Sequence, residues 1–370
     1  MNNLYIDLHV VQSVPPSCVN RDDTGSPKTA VYGGVRRARV SSQSWKHAMR
    51  EMFKDHFDRR DLGVRTKKIV EYVAAEIQSL DPNKEDAEAS SLAERVINAA
   101  KISTAKGEAK ALFFVGAQQA KNLANLAVNT DFGAIDALKD KEKKRAEAEL
   151  KSAAQAILGQ DNAVDIALFG RMVADDPSLN SDASAQVAHA ISTHKVETEF
   201  DYYTAVDDHA KEDNAGAGMI GMIEFNSSTL YRYATVAVHE LYGQLTKNAD
   251  VTAKAVVEFV RAFALSMPGG KINTFANHTP PAAVYAVIWD KRPINLVGAF
   301  ENPIKSTEGY TAASIRRLGE YAQNVYKNFA LKPEKAYVVA LDSGLEALGA
   351  VCDWEALLEH VGADIKGVLQ

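Results

Sequence analysis

The chain has 370 residues, 46% of them apolar and 24% charged, which is enough to bury one large core or two and too apolar for a disordered segment. Its formal net charge of −6 speaks against a nucleic-acid binder judged by total charge, and no apolar run approaches the ~20 residues of a membrane-spanning helix. Cys18 and Cys352 lie far apart with no CxxC partner, which argues against a disulfide framework or a zinc site and suits a reducing cytoplasm.

The opening residues, MNNLYIDLHVV, lack a basic stretch followed by a long apolar run, so no secretory signal is expected. They alternate instead: Leu4, Ile6, Leu8 and Val10 on one side, Tyr5, Asp7 and His9 on the other, the pattern of a half-buried strand. A polar loop, SVPPSCVNRDDTGSPKTAVYGG, follows, with three prolines and three glycines. A basic strand is predicted over 36–40, then a serine cap at Ser41 or Ser42, then a helix whose apolar face is Trp45, Met49, Met52, Phe53 and Phe57. Between 64 and 158 the composition turns to Ala, Glu, Lys and Gln, which predicts a helical insertion with its own small core.

Beyond it the pattern predicts a strand over 163–169 and a short helix over 183–192. A long hairpin over 195–228 has a tip softened by KEDNAGAGMIG. A strand over 229–238, an amphipathic helix over 251–267, a turn at 268–271, a strand over 283–289 and helices over 312–328 and 354–361 complete the chain. With insertion and hairpin set aside, the order is strand, helix, strand, strand, helix, strand. That is the ferredoxin-like (RRM-like) α+β order shared by RNA-recognition modules. The expected division is a discontinuous palm, 1–60 and 160–370 including the 195–228 hairpin, and an insertion, 61–159.

Charge is unevenly distributed. Between Lys28 and Lys54 the cations Lys28, Arg36, Arg37, Arg39, Lys46, Arg50 and Lys54 face one acid, Glu51, while acids gather at 81–88 and 197–213. A strand rich in arginine runs into a serine-capped helix start, where unpaired N–H groups and the positive end of the dipole suit a phosphate. Gln43, Lys46 and Arg50 stand at i, i+3 and i+7 and share a helix face with access to consecutive phosphates; a merely solvated basic face is the plainer alternative.

The blocks NRDD, GGVRRARVSSQSWKHAMR, ALFGRM, AHAISTHKVETEFDYYTAVDD, LYRYATVAV and MPGGKINTFA occur in this order and cover most of the chain outside the insertion. In this they closely resemble the backbone subunit of type I-E CRISPR Cascade complexes, the CasC-type family. The resemblance implies a right-hand shape: a ferredoxin-like palm, a helical fingers insertion and a β-hairpin thumb. It implies copies stacked along one CRISPR RNA, with the guide presented to target DNA and the large, small, repeat-end-processing and 5'-handle-binding subunits as further partners. No cofactor, metal or membrane is implied.

Carried over residue by residue, the resemblance assigns RNA contacts to Arg21, Lys28, Arg37, Ser41, Gln43, Lys46 and Arg50 on the palm. It places Arg171 and the wedge residue Met172 against the bases, Tyr202, Tyr203 and Val206 on the thumb, and Lys271 in the glycine loop. Adjacent strand residues face opposite ways, so one of Tyr202 and Tyr203 is expected to meet RNA and the other to pack. Where the family places several lysines near 299–310, Asn302 and Thr307 leave Lys305 as the single candidate DNA contact. The sharpest rival signal is Asp22-Asp23, a carboxylate pair able to hold a divalent cation and cleave RNA, as aspartates do in related type III subunits; against it stands a turn-capping aspartate. His189 and His194 are five apart, the wrong spacing for one helix face, so packing roles are expected. No GxGxxG, Walker A or GxSxG sequence occurs.

Overall fold

The computed structural model describes residues 3–173, 176–205 and 219–370. The chain forms two compact units, Met1–Met52 with Gln186–Ala237 and Val256–Gly367, and Phe53–Ala185 with Val238–Ala255 and Val368–Gln370.

The first unit is built on a large mixed sheet of ten strands. The opening segment forms β1, Leu4–Ser17, which lies antiparallel between the long strand Met219–Ala237 and the strand Ala283–Asp290. The order runs from Lys335–Ala340 through Ala283–Asp290, β1, Met219–Ala237 and Ala190–Ser192 to β3, Val35–Val40, and β2, Thr29–Tyr32, at the edge. A two-residue strand, Ala350–Val351, adds parallel pairing beyond Lys335–Ala340. Gly33 and Gly34, at φ +58° and +78°, close the β2–β3 turn in the conformation a two-residue hairpin needs. A Cβ on Gly33 would also lie 1.6 Å from the carbonyl oxygen of Glu301.

Three sequence expectations are corrected in this unit. The polar side of β1 is not solvated: Asp7 and His9 are buried, because a central strand is covered on both faces. Asp7 accepts from the Ile294 N–H at 2.6 Å and from the Tyr233 hydroxyl at 3.1 Å, and His9 Nδ1 lies 2.8 Å from the Tyr231 hydroxyl. The loop predicted over 13–34 begins and ends in strand: β1 continues through Pro15-Pro16 by slipping register between Val14 and Ser17, which absorbs the missing N–H donors, and Thr29–Tyr32 is β2. The helix predicted over 183–192 is two short strands, Ala185–Val187 and Ala190–Ser192, the second held by the long strand and β3.

One sheet face packs Tyr231, Tyr285, Val287, Phe300, Ile315 and Leu318 into a core that includes the helix Thr311–Asn328. On the other, the first helix, α1 (Ser42–His56), is fixed by Trp45 over the buried Arg232, with 3.6 Å between guanidinium and ring. Arg232 also donates to the Gln12 side chain and to the Phe263 and Ala264 carbonyls, and its burial lowers its pKa to about 9.

The second unit holds the helical block. Helices Ile69–Leu80, Asp86–Ala99, Ala117–Asn129 and Asp140–Gly159 bury a core of their own from Ile69, Val73, Ile77, Val96, Leu123 and Leu158. The predicted strand over 163–169 is the helix Val164–Phe169; a short continuous apolar run has no alternation to separate the two states. No helix among the described residues is long and apolar enough to cross a membrane.

Candidate nucleic-acid interface

Three stretches far apart in sequence meet at one cleft of about 720 Å³ in the first unit. The NRDD loop, the opening of α1 and the Gly269-Gly270 loop line it. The N–H of Ser41 reaches Asn20 Oδ1 at 2.9 Å, which ties the loop to the helix start, and Ser41 Oγ accepts from the Ser44 N–H at 3.3 Å, an N-cap. Gly270 presses its backbone onto the loop: a Cβ there would lie 2.1 Å from the carbonyl oxygen of Val19. Gly270 thus serves backbone against backbone. Arg21 is exposed on the rim, and Arg21 and Lys271 both lie close enough to the buried Cys18 to favour its thiolate, although burial dominates and raises its pKa.

Along α1, Trp45 and Met49 are wholly buried, while Gln43 is exposed and Lys46 and Arg50 are half-buried. Helix geometry of 3.6 residues per turn puts Gln43, Lys46 and Arg50 on one flank, next to the flank of Ser44 and His47 that lines the cleft. The predicted ridge exists, and it borders the cleft instead of forming its wall. Two residues assigned to RNA contact, one of them at the head of this ridge, turn inward. Ser41 is buried, with its cap and its N–H already engaged. Arg37 has 0% exposure, and its guanidinium donates to the carbonyls of Tyr32, Ser192, Phe300 and Glu301. Burial lowers its pKa. It is a structural post between the β2–β3 turn and the 300–301 loop, so its assignment to RNA contact is corrected.

Arg39 takes the place that Arg37 was given. It lies two residues on, half-buried, with one guanidinium nitrogen 3.2 Å from His189 Nδ1 and Nε donating to the Thr29 carbonyl. Burial, then the charges of Arg39 and Lys28, lower the His189 pKa, which places Lys28 in the same group. Arg39 was signalled only by the arginine-rich VRRARV, and His189, expected to pack, is exposed beside it. His194 matches its expected packing role: Nδ1 meets the Lys195 carbonyl at 2.8 Å, Nε2 accepts from the Thr229 N–H, and the ring stacks on Tyr310 at 3.7 Å.

In the second unit, Arg171 is also corrected. It is 4% exposed and donates to the carbonyls of Phe114, Leu158 and Leu179 and to Gln119 Oε1, and burial lowers its pKa to about 10. Gly170, at φ +77°, sits 2.9 Å (measured from an added Cβ) from the Ser181 carbonyl, so only glycine fits this turn. The result is that Met172 projects, 85% exposed.

On the hairpin, Glu199–Ala205 pairs with the start of Met219–Ala237, Tyr202 opposite Met222 and Tyr203 opposite Gly221. The Tyr203 ring lies over Gly221, 2.3 Å from where a Cβ would stand. Tyr202 is 64% exposed on the other face, beside exposed Phe200 and Met222. The two tyrosines lie on opposite faces of the strand, and both are exposed, Tyr203 less so at 37%. Val206 and most of the expected hairpin tip lie outside the described residues. Lys305 is exposed on the loop after Phe300.

The aspartate pair is unequal. Asp22 Oδ1 accepts from the Thr24 N–H at 3.0 Å, the Thr24 hydroxyl at 2.7 Å and the Ser26 N–H at 3.0 Å, and the Thr24 hydroxyl above all lowers its pKa. It caps the turn. Asp23 is exposed beside it, and among the described residues no cluster of three ligand side chains could hold a metal ion.

Fold and site together define an α+β protein built on one large mixed sheet, with a cleft at the start of its first helix and a cationic flank beside it. The chain belongs to the CT1975-like protein family, whose profile matches residues 6–359. Among solved structures, it is similar over 98% of its length to the whole of a chain of a "CRISPR RNA-guided surveillance complex, pre-nicking", at 32% identity and TM-score 0.82. It is similar over 97% of its length to 99% of a chain of another "CRISPR RNA-guided surveillance complex", at 28% identity and TM-score 0.72. None of the curated proteins matches it.

Proposed function

We propose that this chain is the repeated backbone subunit of a type I-E Cascade complex: a non-catalytic, cytoplasmic protein that holds a CRISPR RNA by its phosphates. The observation that carries the reading is the convergence of the Arg21 loop, the capped start of α1 and the Gly269-Gly270 loop on one cleft, with Lys46 and Arg50 on the adjoining flank. Helix N-termini and cations recognise sugar-phosphate without reading sequence, and base pairing supplies the specificity. The full-length likeness to chains of RNA-guided surveillance complexes supports the same assignment.

Within this reading, Ala283–Asp290, β1, Met219–Ala237 and Ala190–Ser192 stand in the order fourth, first, third, second of a ferredoxin-like palm, all neighbours antiparallel. The helical block is the fingers and the 199–225 hairpin the thumb. Copies of the chain stack along the guide, with the large, small, repeat-end-processing and 5'-handle-binding subunits and target DNA as further partners. Asp22, engaged as a turn cap, favours binding over cleavage.

Purification of the native assembly with extraction and sequencing of its nucleic acid tests the proposal. A discrete RNA bearing CRISPR repeat sequence is expected; an assembly free of RNA, or holding only bulk cellular RNA, overturns it.

A further inference from the structure

Lys28, Arg39 and His189 come from three separate segments and meet at the sheet edge of the first unit. Arg39 leaves β3 with a guanidinium nitrogen 3.2 Å from His189 Nδ1. Arginine only donates, so Nδ1 is the acceptor and the ring proton sits on Nε2, a donor on an exposed residue. Lys28 is registered beside Arg39 by the hydrogen bond from the Arg39 N–H to its carbonyl at 2.9 Å. The group is continuous with the cleft: Lys28 and Arg39 line a small cavity whose wall shares Val19 and Asn20 with it. Arg39 and Lys28 are permanent cations, and His189 Nδ1 faces the Arg39 guanidinium across the 3.2 Å contact, so an oxyanion entering between ring and guanidinium would meet both.

We propose that Lys28, Arg39 and His189 form a proton-coupled site for one phosphodiester of the bound RNA. The proposal rests on the RNA-binding reading above. The charged groups facing the ring are Arg39 and Lys28, and after burial these two cations disfavour its protonation. A phosphate set among them offsets both charges. The proton enters at Nδ1, which accepts from Arg39 in the RNA-free chain. Arg39 turns that N–H to the phosphate, while the new Nδ1–H donates to the phosphate as well. His189 thus takes up a proton as RNA binds, and by linkage RNA binds more tightly as pH falls.

The test is fluorescence anisotropy of the full chain with a labelled single-stranded RNA, from pH 8 to pH 5.5 at fixed ionic strength. Wild type is expected to gain about fivefold in affinity over that range, corresponding to somewhat less than one unit of pKa rise on binding. His189→Gln, which keeps a neutral donor, is expected to stay within about twofold of wild type at pH 8 and to lose the gain. His47→Gln, in the cleft, is expected to keep it, and Lys46→Ala with Arg50→Ala to bind more weakly at every pH with the gain intact. RNA binding that is flat in pH for wild type, or a full gain in His189→Gln, overturns this site and leaves RNA binding standing. Absence of RNA binding by wild type at every pH overturns both.

Discussion

In β3, Arg37 is buried while Arg39, on the same side of the strand, reaches His189; in the loop after Gly170, Arg171 is buried while the next residue, Met172, projects. Both places use an inward arginine as a post, its donors spent mainly on buried backbone carbonyls. They differ in what the post holds out. The first presents cations, suited to phosphate; the second presents a thioether, suited to a flat apolar face such as a base. An arginine in a basic motif is therefore not yet a surface charge. Of the three arginines in VRRARV, one is interior.

The largest expected effect breaks or upholds the shared half of that comparison. Arg37→Ala and Arg171→Ala each strand several buried carbonyls, and each is expected to cost about 3–5 kcal/mol in urea unfolding. A cost below about 0.5 kcal/mol for either would mean its post carries no weight.

Asp7 and His9 extend the comparison to buried titratable groups. Desolvation raises the Asp7 pKa to about 7 and lowers that of His9 to about 3. The Asp7 contribution is fully present below about pH 4 and is lost as pH rises toward 7. The His9 contribution is present above about pH 6.5 and is lost as pH falls toward 3. Between pH 4 and 6.5 the two slopes oppose and cancel, so wild-type stability is expected to be flat there. Asp7→Asn unmasks the histidine slope, and its stability is expected to rise with pH across that window by up to about 1.4 kcal/mol per unit. A flat profile in Asp7→Asn would refute the assignment.

The difference between the two surfaces shows next. Lys46→Ala with Arg50→Ala is expected to weaken RNA binding for every sequence and to reduce the slope of log affinity against log salt by about 1.4, at about 0.7 per phosphate contact on a single strand. An unchanged slope removes both residues from the phosphate track. Smallest of all, Met172→Ala is expected to leave stability within about 0.5 kcal/mol and the salt slope untouched, with any loss of RNA affinity independent of salt. A salt-dependent loss there would erase the distinction between the cationic and apolar faces.

The readable parts were those governed by local chemistry. The amphipathic helices announced themselves: Thr311–Asn328 falls within a residue of its predicted limits, and Asp140–Gly159 lies in the block expected to be helical. So did the capped start of α1, because Ser41 followed by Trp45 and Met49 is a local pattern. The strand Lys335–Ala340 drew no notice, since KAYVVA has little alternation and gains its place by pairing with Ala283–Asp290. The short apolar runs 163–169 and 183–192 were exchanged between helix and strand for the same lack of a period.

Sequence by itself determined the α+β class, the helical block and the segment that bears the cationic flank, because periodicity and turn chemistry act over a few residues. Only tertiary structure decided that Arg37 and Arg171 face inward, which of Tyr202 and Tyr203 is the more open, and that Lys28, Arg39 and His189 meet. Burial and charge pairing depend on what the distant chain brings alongside, and no local pattern records that.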